Sequence, residues 1–351
     1  MTERLNRILS RLAPLIAADT QNPPRTIASD GPLAAAVREG LPGFDLDVTD
    51  LGNGSVIFDA VRGRPSVLFN VHLDTVPAAQ GWSRNPHELL RAEDRAIGLG
   101  ACDIKGAAAV LMALAAETDA PMRLVLTTDE EAGKSWCVRR FLETPPDVDF
   151  AVVAEPTEAR AVTRHRGLVS ASARFSGRSA HASEAVTQSA VHDAARWIGA
   201  CLETEIGPQN RLNFGRIEGG VKPNMVAASA EVLYGFRAQP GTDHEAVLAE
   251  LRALAPDAEH TTRFTGPALP SDAGGPATKA QALAADHVRR YGLAPGEPVH
   301  FFTEAALFAA AGVPVAVLGP GSIAQAHTAD EWVSYDSLLA TYEAYERIVT
   351  G

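Results

Sequence analysis

The sequence is poor in cysteine and in positive charge, and it has no long apolar run; each shortage removes a class of protein. Cys102, Cys137 and Cys201 are its three cysteines. They form no CxxC pair, and an odd number does not suggest a disulfide framework. Lysine and arginine number 31 against 43 acidic residues, a net charge of −12, which argues against a general nucleic-acid or anionic-membrane surface. No apolar run approaches the roughly 20 residues needed to span a bilayer. There is no internal repeat, no low-complexity segment, no serine nucleophile elbow and no setting for a reactive cysteine. At the N-terminus Leu5, Ile8, Leu9, Leu12, Leu15 and Ile16 recur at helical spacing with Arg4, Arg7 and Arg11 between them. That is an amphipathic helix rather than a signal peptide. The expectation is a soluble, cytoplasmic protein.

What is present is an ordinary globular composition, 46% hydrophobic and 21% charged over 351 residues, a length that suggests two domains at about 150 residues each. Short Val- and Leu-rich runs end in polar residues: Val67–Val71 before His72 and Asp74, Arg123–Thr128 before Asp129, Glu130 and Glu131, Phe150–Ala154 before Glu155, and Val313–Leu318 before Gly319–Ser322. Such runs read as strands of a parallel or mixed sheet. The Ala-rich stretch Ile104–Glu117 reads as a helix between the first two. The expected architecture is α/β, a mixed sheet with helices on both faces. From Arg166 to Pro270 the order changes to β-α-β-β-α-β, the split βαβ or ferredoxin-like arrangement. A helix near Ala277–Tyr291 then resumes the first pattern. The expected domains are 1–165 with 271–351, and an inserted 166–270.

The polar strand ends carry the chemistry. His72 and Asp74, two apart, point to one side of an extended segment. A metal-binding imidazole usually donates its other N–H to an oxygen, which Asp74 can supply. Asp103 precedes the Ala-rich helix, where it can equally cap the helix N-terminus. Glu130 and Glu131 are adjacent, so their side chains project in different directions. One can bind a metal while its neighbour faces a water. Glu155 and His327 lie beyond later strands. Singly, each residue reads as readily as an ordinary loop residue. Together, two imidazoles and three carboxylates at strand carboxyl ends suit divalent ions such as Zn²⁺ or Co²⁺.

Val71-His-Leu-Asp-Thr-Val-Pro77, Gly98-Leu-Gly-Ala-Cys-Asp-Ile-Lys-Gly106, Thr128-Asp-Glu-Glu-Ala132 and Ala154-Glu-Pro-Thr157 resemble the ordered motifs of the M20 family of metallohydrolases. Phe302-Thr-Glu-Ala305 and Gly319-Pro-Gly-Ser-Ile-Ala-Gln-Ala-His327 resemble its acetylornithine and acetylcitrulline deacetylase branch. The resemblance implies two divalent metal ions. His72 and Glu155 would hold one, Glu131 and His327 the other, with Asp103 bridging. It implies Glu130 as general base, Asp74 as the partner of His72, and an inserted lid and dimerisation domain whose His181 reaches the partner chain's site. Asn224, Arg237, Glu304 and Gly321 fall at its substrate-contacting positions. Read without it, Asn224 is a turn asparagine, Arg237 a strand-end surface arginine and Glu304 a helix cap.

The activity implied is removal of the acetyl group from an N-acetyl amino acid of arginine synthesis, with a small molecule as the partner and no nucleic acid or membrane. Another member of the family, such as a dipeptidase, aminoacylase or desuccinylase, would share the metal residues without the Thr303-Glu304-Ala305 segment. A non-catalytic metal-binding scaffold would have no need of Glu130 or Asp74.

Overall fold

The N-terminal residues follow the expected amphipathic pattern: α1 (Glu3–Ala17) is capped by Thr2, whose hydroxyl accepts from Leu5 N at 3.3 Å, and buries Leu5, Ile8, Leu9, Leu12, Leu15 and Ile16. This is a computed structural model, and it describes residues 2–24, 27–133, 135–184 and 188–351. The chain divides into two units. The first comprises Met1–Thr163, Lys279–Glu297 and Thr303–Gly351; the second comprises Arg164–Thr278 and Pro298–Phe302.

After α1 come α2 (Pro32–Gly40), β1 (Asp45–Asp50), β2 (Val56–Arg62), β3 (Val67–His72), β4 (Leu90–Arg91) and β5 (Arg95–Ile97). Then follow α3 (Lys105–Ala115), β6 (Met122–Thr127), α4 (Trp136–Phe141) and β7 (Phe150–Val153). Next come β8 (Leu168–Ser176), α5 (Ala190–Leu202), α6 (Ile206–Asn210), β9 (Asn213–Gly219), β10 (Ser229–Phe236), α7 (His244–Ala253) and β11 (Glu259–Gly266). The chain closes with α8 (Pro276–Arg290), α9 (Ala305–Ala310), β12 (Val315–Val317), β13 (Trp332–Ser334) and α10 (Tyr335–Thr350).

The first unit is built on a six-stranded mixed sheet of order β1-β2-β6-β3-β7-β12. Strands β6, β3, β7 and β12 run parallel, while β1 and β2 are antiparallel at one edge. Every residue of β3 and of β7 is buried, which explains why these runs lack the alternation of a half-exposed strand. Every residue of α3 is buried as well. It packs against α1, α10 and β3, and its alanines let those neighbours approach. The chain leaves β3 for β6 on one side and later returns to β7 on the other. Such a reversal opens a crevice outside the strand carboxyl ends.

The second unit is an antiparallel sheet of order β11-β8-β10-β9 with α5 and α7, in the chain order β-α-β-β-α-β apart from the five-residue α6 between α5 and β9. Alternate residues of β8 (Val169, Ala171, Ala173, Phe175) and of β10 (Ala230, Val232, Tyr234, Phe236) form its core with Trp197 and Leu251. Trp197 donates its indole N–H to Leu251 O at 2.9 Å, so even this large ring leaves no polar group unpaired. The unit extends past the expected 166–270. His165 exchanges backbone hydrogen bonds with Leu269, and Arg164 and Arg166 do so with Val299. Phe302 sits edge-on to His165 at 6.0 Å and to Phe264 at 5.8 Å. No described helix is long and apolar enough to cross a membrane.

Candidate metal centre

Every predicted metal residue belongs to the first unit, at or beyond a strand carboxyl end. His72 is the last residue of β3, Glu131 follows β6, Glu155 follows β7 and His327 lies in the loop after β12. Asp103 precedes α3, where it does not act as the cap: the capping position is Ile104, which makes no side-chain capping bond. The structure gathers these residues into two groups, His72 with Asp103 and Glu155, and His327 with Asp103 and Glu131. Asp103 is common to both. Its Oδ1 lies 3.2 Å from His72 Nε2 and its Oδ2 lies 3.4 Å from His327 Nε2. One carboxylate thus faces two imidazoles with separate oxygens. Glu155 Oε1 is 4.0 Å from His72 Nε2, and Glu131 Oε1 is 2.9 Å from His327 Nε2.

The electrostatics fit cations at these groups. Burial opposes a charge on His72, yet the carboxylates of Asp103 and Asp74 beside its ring hold its pKa well above the ordinary value. Hydrogen bonds to Asp103 and Glu131 push His327 up to about 10. Burial, followed by neighbouring carboxylates, pushes Glu130 and Glu155 well above the usual range; burial also raises Glu131. Asp103 goes the other way: the two histidines overcome its burial and hold it low. Its Oδ1 is buried with no aligned hydrogen-bond donor. Crowded carboxylates and an oxygen without a donor are what a divalent cation compensates. The donor set, nitrogen and carboxylate oxygen, suits first-row divalent ions.

Glu130 belongs to neither group among the described residues. Asp74 fixes the pair of glutamates by accepting Glu130 N at 3.3 Å and Glu131 N at 3.0 Å. Its expected bond to His72 differs in detail. His72 Nδ1 lies 3.0 Å from the Asp74 backbone oxygen and 3.6 Å from its carboxylate. The carboxylate is engaged elsewhere, because Asn22 Nδ2 also donates to it at 3.2 Å and to Thr128 O at 3.0 Å. Asn22 was not singled out in the sequence, and its one visible sign is its place before two prolines.

Glu304 occupies the capping position of α9 but makes no side-chain capping bond. It is 1% exposed, and its Oε1 has no hydrogen-bond partner. Burial, reinforced by Asp129, pushes it up to about 8. Gly321 has φ +78, and a Cβ there would meet Cys102 Sγ at 2.4 Å. Its N–H donates to Ser337 Oγ and its carbonyl accepts from Glu158 N. Both backbone groups are therefore committed within the protein, and what Gly321 supplies is close approach.

His181, Asn224 and Arg237 belong to the second unit. A backbone bridge joins His181 to Met225, and Ala182 N donates to Asn224 O at 3.0 Å. The exposed His181 ring accepts Ser183 N at Nδ1, 3.2 Å away. A neutral ring so held carries its proton on Nε2 and presents a donor there. Arg237 follows β10 and is half-buried, and burial lowers its pKa. With Ser170, Arg211, Asn213 and Gly235 it lines a cavity of about 370 Å³.

Two groups that could each hold a divalent cation, sharing one carboxylate, fit metal-ion hydrolysis, and fold and site point to the class of metal-dependent hydrolases. The family is equally definite: the profile of peptidase family M20/M25/M40 matches residues 68–351, and the chain belongs to it. It is 44% identical over 364 aligned residues to the N-acetyl-L-citrulline deacetylase of Xanthomonas campestris pv. campestris, covering 100% of each chain. It is 29% identical to the acetylornithine deacetylase of Vibrio vulnificus, covering 87% of this chain and 86% of that one. Among solved structures, an aminopeptidase of Bacillus cereus superposes with a TM-score of 0.78 at 18% identity, covering 98% of each chain.

Proposed function

We propose that the chain hydrolyses the N-acetyl amide of N-acetyl-L-citrulline or N-acetyl-L-ornithine, releasing acetate and the free amino acid in arginine biosynthesis. The observation that carries this reading is the position of Glu130. Its carboxyl interacts electrostatically with Glu131, His72 and Glu155 and joins neither cation group among the described residues, which leaves it available for proton transfer. The names of the two deacetylase relatives supply the substrate class.

His72, Glu155 and Asp103 would hold one metal, and Asp103, Glu131 and His327 the other, with Zn²⁺ or Co²⁺ as the ions. Held there, the metals would supply Lewis-acid polarisation of the amide carbonyl and a lowered pKa for water. Glu130 accepts a proton from the attacking water and delivers it to the departing amine. Burial and Glu131 hold it above the ordinary carboxylate range, the direction a base working near neutrality requires. Asp74 fixes Glu130 and Glu131 through their backbone amides. His181 donates from Nε2 to the developing oxyanion of a partner chain's substrate, and Arg237 grips the α-carboxylate with its guanidinium fork. Asn224 contacts substrate, Glu304 meets the substrate side chain, and Gly321 leaves room beside Cys102. In this reading the enzyme is a cytoplasmic homodimer joined through 166–270.

Steady-state kinetics of the Zn²⁺- or Co²⁺-loaded chain on N-acetyl-L-citrulline, N-acetyl-L-ornithine and N-acetyl-L-methionine test the assignment. The highest kcat/KM is expected for one of the first two. A preference for N-acetyl-L-methionine overturns the arginine-pathway assignment.

A further inference from the structure

Glu331 is a buried acid with no part in the chemistry above, and it is 2% exposed. Its carboxylate is fully committed to a neighbouring loop. Oε1 accepts Cys102 N and Asp103 N, each at 2.9 Å, and Oε2 accepts Gly100 N at 2.8 Å. Its own carbonyl accepts Gly98 N at 3.0 Å. One residue thus takes four amides from the turn that ends in Asp103. The same residue closes the loop that carries His327, whose backbone sits in the left-handed region at φ +59. That loop is anchored beside Glu331 by Asp330, which accepts Ser83 N at 3.0 Å. Cys102 ties the two loops again, its thiol donating to Ser322 O at 3.4 Å. Beneath the turn lies the fully buried Lys105, a positive neighbour of Glu331.

A carboxylate taken out of water is costly unless its oxygens are satisfied, and three converging amides satisfy this one. Packing alone would be met by an apolar side chain. The amides it collects are those of the bridging aspartate and its approach, and the loop it closes supplies the histidine of the same group. We propose that Glu331 is a positioning residue that sets the separation of Asp103 and His327 before metal arrives, and so governs the affinity of the group these two share with Glu131. The inference rests on the two-metal reading.

An isosteric amide would keep the shape but present an N–H to Gly100 N or to Cys102 and Asp103 N. Outer partners of metal ligands typically contribute about 10–100-fold in affinity. The test is Zn²⁺ titration into the metal-free full chain, comparing wild type, Glu331→Gln and Tyr342→Phe. The last removes a different, partly buried bond in the same unit, from Tyr342 Oη to Glu117 at 2.6 Å. The expected result is two ions bound by wild type, one of them about 10–100-fold weaker in Glu331→Gln, and both unchanged in Tyr342→Phe. Wild-type affinities in Glu331→Gln, or an equal loss in Tyr342→Phe, overturn the inference. A wild-type chain that binds no zinc overturns the metal reading and this inference with it. Should Glu331→Gln fail to fold, amide exchange of the metal-free wild type decides. Slow exchange at Gly100, Cys102 and Asp103 supports a turn already set, and fast exchange overturns it.

Discussion

Glu304 offers a prediction in which the structure fixes the sign. Its carboxyl is buried, one oxygen has no partner, and burial with nearby Asp129 moves it from an ordinary 4.5 to about 8. The folded chain therefore holds this proton where the unfolded chain releases it. Stability attributable to Glu304 is complete below about pH 4.5, declines as pH rises, and is fully lost above about pH 8. At about 1.4 kcal/mol per pH unit the ceiling on the loss is about 5 kcal/mol. Glu304→Gln removes the titration while keeping the shape. Urea unfolding of the metal-free first unit's signal at pH 5, 7 and 9 should show the variant gaining on wild type by several kcal/mol across that range. Added Zn²⁺ should shrink the gain, because nearby cations favour the ionised carboxylate. A difference between variant and wild type that is the same at pH 5 and pH 9 refutes the reasoning.

Mixing His181→Ala with Glu130→Gln subunits should restore activity, since one hybrid site then keeps both residues; proven hybrids without activity contradict a shared site. Arg237→Lys keeps the charge but loses the fork, and a lost charged hydrogen bond of about 1.5–3 kcal/mol should raise KM or lower kcat/KM about 10- to 100-fold. An unchanged kcat/KM removes Arg237 from the carboxylate. Chelation should lower the melting temperature of the chain, because a ligand at 100 times its Kd stabilises by about 2.7 kcal/mol; calorimetry with and without Zn²⁺ reads the shift, and no shift contradicts a folded-state metal site.

The parallel strands were legible because burial on both faces writes itself as unbroken Val and Leu: β3 and β7 fall where the apolar runs do. The helices α1 and α3 were legible by period and by alanine. The antiparallel edge pair β1 and β2 was not, since the exposed face of β1 carries Asp45, Asp47 and Thr49 and reads as loop. Strands as short as β4 and β5 leave no pattern to read. Of the five residues expected to hold metal, His72, Glu131 and Glu155 were visible as polar ends of apolar runs, Asp103 and His327 only through their motifs; the structure gathers all five into two groups. Asn22 and Glu331 were not visible, because their work is to donate to a carboxylate and a backbone carbonyl, or to accept from backbone amides, brought close only by folding. No residue spacing encodes a backbone partner 231 positions away.

Glu130 stands outside both candidate metal groups among the described residues, and the proposed hydrolysis depends on it. Glu130→Gln, assayed for metal content and for kcat on N-acetyl-L-citrulline and N-acetyl-L-ornithine, tests that directly. Two bound metals with kcat reduced by about 10²–10⁴-fold is the predicted result. Loss of metal, or turnover close to that of wild type, would contradict the assignment and hand the base to another residue.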